Sequence, residues 1–299
     1  MHFEFLKGVV TASLLALPFA SFPGCKPASG PEPTSVQESY VHIRPSWSPD
    51  GAWIAFTVNI QDSLGIYLID TSGANMHRLV EGEGIGTTWS PDSKWLAFSR
   101  AGVLFKIKVD GDSLTELPTI YGALRPAWSP DGQRLAFVLD RRDIGGIWLY
   151  TFQSDSASSL VGFGDYPTWN PVTEELVVLD SHYGAAGDAV SYNFVAVDIN
   201  TLNARTLISF VTASDCAFLA ENAAGNSVVY GLKPSDDLAQ VWKYETASDR
   251  QTQLTVDGGD DPAWSPDGSR IVYTRTANGD GGLWIMNADG SNKRRLTKP

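Results

Sequence analysis

Short apolar runs alternate with polar turns along this chain. In residues 43–81, the run Ile54–Thr57 is followed by a variable loop and then by a second run, Ile66–Asp70. Such runs are rich in β-branched and aromatic residues, alternate in side-chain character and are bounded by Gly, Asp and Ser, which is typical of strands. A stretch ending at Trp47 precedes them and a short Arg-Leu stretch follows. The pattern therefore predicts a unit of four strands.

The same unit returns along the chain, marked by the phrase Trp-Ser-Pro-Asp-Gly. The phrase and its near copies begin at Trp47, Trp89, Trp128, Trp169 and Trp264. The first four tryptophans are spaced by 42, 39 and 41 residues, and the gap of 95 residues before the last has room for one more unit, which we place at Phe218. Repeats of this length with four strands are typical of propellers. The predicted fold is all-β, a six-bladed β-propeller of four-stranded antiparallel blades covering residues 41–299.

Proline positions indicate which strand of each blade lies innermost. Pro45, Pro126, Pro167 and Pro262 each stand two residues before a repeat tryptophan. Because proline lacks an N–H, it is confined mainly to edge strands, so the first strand is predicted to be the edge that faces the central channel. The repeat tryptophans are predicted to pack between neighbouring blades. Ser-Pro-Asp-Gly is interpreted as a turn, and no catalytic residue is assigned to it.

A variable set of residues stands three positions before each repeat tryptophan or its equivalent Phe218. These residues are Arg44, Gly86, Arg125, Tyr166, Asp215 and Asp261, and Asp165 and Asp260 add to an acidic arc. Since the inner strands begin there, we expect these side chains to surround one mouth of the channel. Loops on one rigid face are common recognition sites, so the mouth is expected to bind a peptide segment or a small polar ligand. The alternative is a solvated rim whose Arg and Asp side chains pair with one another.

Metal and cofactor chemistry has little support in the sequence. His42, His77 and His182 fall at unrelated places in their repeats, so no histidine cluster at ligand spacing is predicted, and no cofactor is expected. The segment Asn278–Gly282 resembles a calcium loop but lacks the distal Glu, and we interpret it as a hairpin loop. The segment Asp180–Tyr192 is expected to be the longest loop within a blade.

An enzyme is the alternative from a different functional class. It would be a metal-assisted hydrolase or lyase in which Asp215, Asp260 and Asp261 at the channel mouth act as acid, base or metal ligands. Clustering of the three carboxylates is its support in the sequence, because no fixed spacing accompanies them. Binding without catalysis is the preferred interpretation.

The N-terminal segment indicates export. Lys7 precedes the apolar run Gly8–Phe22, which is short for a bilayer span and typical of a signal peptide, predicted over residues 1–24. The segment resembles a bacterial lipoprotein leader, and lipidation of Cys25 is expected, with a plain secretory leader as the alternative. Residues 25–40, rich in Pro, Ser and Glu, are interpreted as a flexible tether. A periplasmic or cell-surface location follows.

Charge and cysteine content limit the partners. The formal net charge of −12 argues against nucleic acid and anionic membrane surfaces, leaving membrane contact only through Cys25. With Cys216 as the second of two cysteines, no disulfide framework is predicted. The expected partner is a protein or peptide of the cell envelope, and the chain is expected to be a monomer.

The last unit carries a family resemblance. Asp261-Pro262-Ala263-Trp264-Ser265-Pro266-Asp267-Gly268, followed by Ile271-Val272-Tyr273 and Leu283-Trp284-Ile285, resembles the WD40-like β-propeller repeats of the TolB family. The resemblance extends over about 255 residues and implies a six-bladed propeller that contacts envelope proteins in the periplasm.

Two departures from related proteins limit what the resemblance implies. TolB proteins place an α/β domain before the propeller, whereas about twenty residues separate the expected leader from the first blade here, so we expect the propeller alone. Related propellers also precede hydrolase domains in prolyl-oligopeptidase-like peptidases. This sequence has no Gly-x-Ser-x-Gly motif, so peptidase activity is not expected.

Overall fold

The computed structural model describes residues 42–58, 64–183, 190–212, 215–221, 226–233, 238–275 and 281–297. Within these residues the chain forms strands and turns, with no α-helix and hence no helical segment suited to crossing a membrane. The expected leader (1–24), the tether (25–40) with Cys25, and most of the Asn278–Gly282 loop lie outside the described residues.

In the described part of the chain, twenty-four strands form six sheets of four, which we number as blades in chain order. Blade 1 contains β1 (His42–Trp47), β2 (Trp53–Val58), β3 (Gly65–Asp70) and β4 (His77–Glu81). Blade 2 contains β5 (Ile85–Trp89), β6 (Trp95–Arg100), β7 (Val103–Lys108) and β8 (Thr115–Glu116). Blade 3 contains β9 (Ala123–Trp128), β10 (Arg134–Leu139), β11 (Gly146–Thr151) and β12 (Ser156–Val161).

The second half of the chain repeats the arrangement. Blade 4 contains β13 (Asp165–Trp169), β14 (Leu176–Tyr183), β15 (Val190–Val197) and β16 (Ala204–Thr212). Blade 5 contains β17 (Asp215–Glu221), β18 (Ser227–Lys233), β19 (Gln240–Glu245) and β20 (Arg250–Gln253). Blade 6 contains β21 (Asp260–Trp264), β22 (Arg270–Arg275), β23 (Gly282–Asn287) and β24 (Arg294–Arg295). Within each blade, every strand pairs antiparallel with the next one in sequence, which confirms the predicted fold class.

The first strand of every blade lies innermost, as the prolines predict. Each of these strands contacts the first strands of the two neighbouring blades: β1 contacts β5, β5 contacts β9, β9 contacts β13, β13 contacts β17, β17 contacts β21, and β21 returns to β1. The six contacts close a ring around a central channel. Blade 6 takes its last strand from the end of the chain, so the described residues close the ring by packing blade 6 against blade 1 without exchanging a strand.

The tryptophans at the ends of the inner strands pack between blades, as predicted. Trp89 belongs to a buried cluster that combines residues of blades 1 and 2, and its Nε1 donates to the backbone oxygen of Ser46 in blade 1 at 3.1 Å. Trp169 donates in the same way to the oxygen of Ala127 in blade 3 at 3.0 Å. The side chains of Trp47, Trp89, Trp169 and Trp264 are only 6 to 7% exposed.

Trp128 departs from this arrangement. It is partly buried, its ring stacks on Phe152 with centroids 5.1 Å apart, and its Nε1 donates to the oxygen of Gly132 in its own turn at 3.2 Å. The indole therefore fixes the turn of blade 3 and makes no bond to the backbone of blade 2.

The prediction of a long loop over Asp180–Tyr192 was wrong. Asp180 pairs with Asn193 and Ser181 pairs with Tyr192, so β14 and β15 extend beyond the length of the other middle strands. Ladder hydrogen bonds satisfy the backbone polar groups of this segment, which is why a segment with polar side chains forms strands. Residues 184–189 lie outside the described residues.

The burial of the tryptophans gives a graded prediction for stability. We expect Trp89→Ala to lower the free energy of unfolding by roughly 3 to 5 kcal/mol, because a cavity is left between two blades and the bond to Ser46 is lost. Trp128→Ala should cost less than about 2 kcal/mol, since part of that ring already faces solvent. Guanidinium unfolding of both variants checks this. Equal losses for the two variants, or a loss below about 1 kcal/mol for Trp89→Ala, would contradict the packing of Trp89 between blades.

Candidate functional site

A cavity of about 210 Å³ lies at the end of the channel where the inner strands begin. The residues that stand three positions before the repeat tryptophans line it in five of the six blades. They are Arg44, Gly86, Arg125, Tyr166 and Asp261. We call these five residues, together with the adjacent Asp165 and Asp260, the channel mouth. The structure thus brings together all but one of the residues predicted from the sequence.

A backbone irregularity shared by these five blades places the residues of the mouth. The inner strand shifts register just before its last two residues, as between Ile43 and Ser46 in β1 and between Asp260 and Ala263 in β21. The bulged residue has a positive φ of 54° at Arg44, 51° at Arg125, 48° at Tyr166 and 49° at Asp261. The fifth position, Gly86, has a φ of 68° and is the only one suited to this conformation without strain.

Four large polar residues therefore occupy a conformation that favours glycine. The left-handed region costs a residue with a Cβ roughly 1 to 2 kcal/mol, so packing alone would select glycine at every blade. Proline follows the bulged residue in four blades, where no ladder hydrogen bond has to be donated. Strained residues of this kind persist where the surrounding structure holds them, and they concentrate at functional sites.

Blade 5 differs from the other five. Asp215 pairs with Lys233, and the register shift lies between Ala217 and Leu219, so that Phe218 is the bulged residue. Glu221 pairs with Val228 just as Trp47 pairs with Ile54 in blade 1. Phe218 thus takes the position of Arg44 instead of the tryptophan position that we assigned to it, and Asp215 lies three residues before the bulge. The side chains of β17 lie outside the described residues.

One half of the mouth is an ion-pair cluster from blades 3 and 4. Nη1 of Arg125 lies 2.9 Å from Oδ1 of Asp165, and the guanidinium carbon lies 4.4 Å from the ring centroid of Tyr166. The same Asp165 oxygen accepts the backbone N–H of Tyr166 at 2.8 Å. Burial raises the pKa of the Tyr166 hydroxyl. Because Arg125 and Asp165 are partly exposed, their ion pair contributes at most about 1 kcal/mol to stability.

The other half joins the last blade to the first. Oδ2 of Asp261 accepts the backbone N–H of Arg44 at 3.1 Å and the hydroxyl of Thr274 at 3.5 Å. Oδ1 of Asp260 in turn accepts the backbone N–H of Asp261 at 2.9 Å. The Asp261 side chain is 6% exposed, and its second oxygen, Oδ1, has no hydrogen-bond partner among the described residues.

Burial governs the protonation of this half. Loss of water and the neighbouring Asp260 raise the pKa of Asp261 to about 7, against the pull of the Arg44 backbone N–H. Burial also raises the pKa of Asp260, and burial together with Arg125 lowers the pKa of Arg44. Near neutral pH the Asp261 carboxyl is therefore poised to gain or lose a proton when its surroundings change.

A second cavity, of about 410 Å³, lies at the opposite end of the channel. Repeat tryptophans and turn prolines line it, and Thr88, Ala127 and Thr168 line both cavities, so the two adjoin along the axis. The same residue types recur around this second cavity, whereas the residue types at the channel mouth differ from blade to blade. Across the described ranges, no group of three or more His, Cys, Asp or Glu side chains could hold a metal ion.

Known proteins share the sequence pattern and the fold of this chain. The sequence profile of the TolB beta propeller domain matches residues 119–299. TolB from Acinetobacter baumannii is 17% identical with a TM-score of 0.63, and the match covers 86% of this chain and 63% of that one. This chain thus spans less than two thirds of the length of that protein.

Two further solved structures share the fold. An oligogalacturonate lyase in complex with manganese is 14% identical with a TM-score of 0.55, over 86% of this chain and 78% of that one. The β-propeller domain of the trilobed protease from Pyrococcus furiosus, described as having an open velcro topology, is 14% identical with a TM-score of 0.58, over 88% and 84%. At these identities the likeness concerns the fold alone.

The buried Asp261 predicts a pH dependence of stability. Its native pKa of about 7 exceeds the ordinary 3.8, so between these pH values the native protein keeps a proton that the unfolded chain has released. The free energy of unfolding should therefore fall as the pH rises through this window, by up to about 4 kcal/mol from this carboxyl. Asp261→Asn should flatten the profile. Urea unfolding at several pH values measures it.

The exposed Asp140 provides the control, because Asp140→Asn makes the same change of charge and should retain the slope. Parallel profiles for the wild-type protein and Asp261→Asn would show that Asp261 titrates normally.

Proposed function

Because this chain belongs to the TolB beta propeller domain family, we propose that it is an extracytoplasmic binding module that recognises a protein or peptide segment at the channel mouth. The observation that carries the proposal is the convergence of the bulged residues on one cavity. Arg44, Arg125, Tyr166 and Asp261 all hold the left-handed conformation there, although their chemistry differs from blade to blade. A purely structural role would favour one small residue repeated around the ring.

The size of the cavity supports recognition of a chain segment. At about 210 Å³ it is smaller than the 300 to 1,000 Å³ typical of sites for drug-sized ligands, so a single side chain or chain end fits it better. Further contacts would come from the surrounding loops, which carry exposed apolar residues at Tyr121 and Val256, 72% and 82% exposed. Both residues lie in connections between blades on the face that carries the mouth.

Export and anchoring complete the proposal. The apolar run Gly8–Phe22 supports a leader, and Cys25 supports a lipid anchor on a bacterial membrane with residues 25–40 as the tether. The module would act as a monomer at the periplasmic or cell surface. The intact mass of protein extracted from membranes tests the anchor, because an unmodified mass would exclude acylation.

A channel-mouth enzyme is the alternative function. The fold shared with an oligogalacturonate lyase and the raised pKa of Asp261 favour it. The described residues bring together Asp260 and Asp261, whereas Asp215 lies three residues from the bulge of β17. Elemental analysis of the purified protein separates the two functions, because stoichiometric metal is expected of a metal-assisted hydrolase or lyase and not of the binding module.

The binding role predicts a loss of partners when the charge of the mouth is reversed. We expect Arg44→Glu combined with Arg125→Glu to reduce recovery of envelope partners in a pulldown by about tenfold or more, since a charge-assisted hydrogen bond is worth at least about 1.4 kcal/mol. Arg141→Glu with Arg142→Glu is the matched control, because both side chains are exposed on the same face.

Thermal unfolding checks separately that the variants fold. If the charge-reversed double variant is unstable, Arg44→Gln combined with Arg125→Gln is tested in its place. An unchanged set of partners in a folded variant would refute binding at the channel mouth.

A further inference from the structure

We propose that the channel mouth binds the ammonium group of a basic peptide segment, with Asp261 as the residue that receives it. The inference rests on the proposed function, because it names the chemistry of the segment that the mouth would recognise. The ammonium group could belong to a lysine side chain or to a free chain start.

The charges of the mouth favour a cation. Three carboxylates, those of Asp165, Asp260 and Asp261, face two guanidinium groups, those of Arg44 and Arg125. One pair is already matched, since Arg125 lies 2.9 Å from Asp165 and also stacks on Tyr166. The remaining half has Asp260 and Asp261 against Arg44 and the exposed Lys233, which acts on Asp260. Arg44 is the cation that acts on the buried carboxyl of Asp261, so a second positive charge beside it would offset the cost of its burial. A negative ligand would instead add to one buried and one partly buried carboxyl.

The hydrogen bonds of Asp261 point the same way. Its Oδ2 is held by the Arg44 N–H and by Thr274, and these two contacts fix the orientation of the carboxyl group. Its Oδ1 is enclosed by protein atoms and lacks a partner among the described residues, while Asp261 as a whole, 6% exposed, lines the cavity. An unsatisfied buried acceptor costs about 1 to 3 kcal/mol, which an N–H donor from a ligand would recover after a small shift of the atoms that cover Oδ1. An ammonium group supplies both the donor and the charge.

The ligand types and the cavity favour a peptide cation over a metal ion, and the overall charge favours cations in general. The described residues contain no set of three metal-ligating carboxylates, histidines or cysteines, whereas an ammonium group needs only one carboxylate and a few neutral acceptors. The formal charge of −12 also attracts basic partners over a distance. A lysine side chain is narrow enough to enter a cavity of about 210 Å³ with its stem against the proline-lined wall.

Short peptides provide a direct test. The purified chain, labelled with ¹⁵N, is titrated with acetyl-Ala-Lys-Ala-amide while the backbone amides of Arg44, Arg125 and Asp261 are followed by NMR. The neutral probe is acetyl-Ala-norleucine-Ala-amide, the anionic probe is acetyl-Ala-Glu-Ala-amide, and Ala-norleucine-Ala-amide offers a free chain start. We expect one of the two ammonium-bearing peptides to bind about tenfold or more tightly than the neutral probe, and the better of them identifies the source of the group.

Two variants locate the interaction. Asp261→Asn keeps the shape of the side chain and removes its charge, so it should weaken binding of the ammonium-bearing peptide by about tenfold. Asp140→Asn removes one exposed carboxylate from the same face and should change the affinity less than about twofold.

The pH dependence provides a second readout. The charged groups around Asp261 are Asp260 and Arg44, with Arg125 and Asp165 in the opposite half and Lys233 acting on Asp260. Because the ionised Asp261 attracts a cation, binding of the ammonium peptide should strengthen as the pH rises from about 5 to about 8, and Asp261→Asn should reduce this trend.

The possible results separate this inference from the proposed function. Binding of the Glu peptide alone at these amides would overturn the ammonium assignment and leave recognition at the mouth intact. If micromolar calcium or manganese perturbed the same amides and prevented binding of the lysine peptide, the site would be assigned to a metal ion and the ammonium inference would be overturned. Absence of any effect of either ammonium peptide also overturns the inference, while the pulldown with charge-reversed Arg44 and Arg125 decides separately whether the mouth binds a partner.

Discussion

The contact between neighbouring inner strands is the constraint on which the ring depends. Six short strands must stand side by side around an axis, and each can approach the next only through small residues such as Ser46, Thr88 and Ala127. At the end of the inner strand away from the channel mouth, a tryptophan fills the widening gap between blades. In blades 2 and 4 this tryptophan also donates its N–H to the backbone of the preceding blade. Buried aromatic area of this size contributes several kcal/mol per junction at about 25 cal/mol/Å².

The inner strands also share a backbone irregularity at the end that carries the channel mouth. A regular ladder would continue the pairing with the second strand, but the bulge before the tryptophan interrupts it and leaves one residue in the left-handed conformation. Proline fits immediately after this residue because no ladder donor is required there. The inner strands thus begin with chemically different side chains at the channel mouth and, apart from that of blade 5, finish with the same residue, tryptophan, at the opposite end. A rigid ring with a varied rim is a physical basis for specific binding.

Residue patterns allowed most of the fold to be predicted, and the failures have physical causes. The tryptophans and prolines recur because packing and backbone geometry demand them, so they fixed the number of blades, the innermost strand and five residues of the mouth. Blade 5 has neither residue in β17, and without them no feature of the sequence placed the bulge at Phe218 rather than three residues earlier. The extension of β14 and β15 was missed because polar side chains conceal a paired backbone. The electrostatics of Asp261 depend on burial, which spacing in the sequence does not report.

Asp261 connects the channel mouth to the closure of the ring. Its Oδ2 accepts the backbone N–H of Arg44 across a sequence separation of 217 residues, at the junction where the last blade packs on the first. No strand is exchanged there in the described residues, so this bond acts together with the buried cluster in which Trp47 and Phe56 of blade 1 pack with Leu283 of blade 6. Burial makes ionised Asp261 costly, and a ligand that stabilises the ionised form would strengthen the bond to Arg44, because a carboxylate accepts a hydrogen bond more strongly than a neutral carboxyl group. A cation bound at the mouth would therefore be expected to tighten the propeller as well as to occupy it.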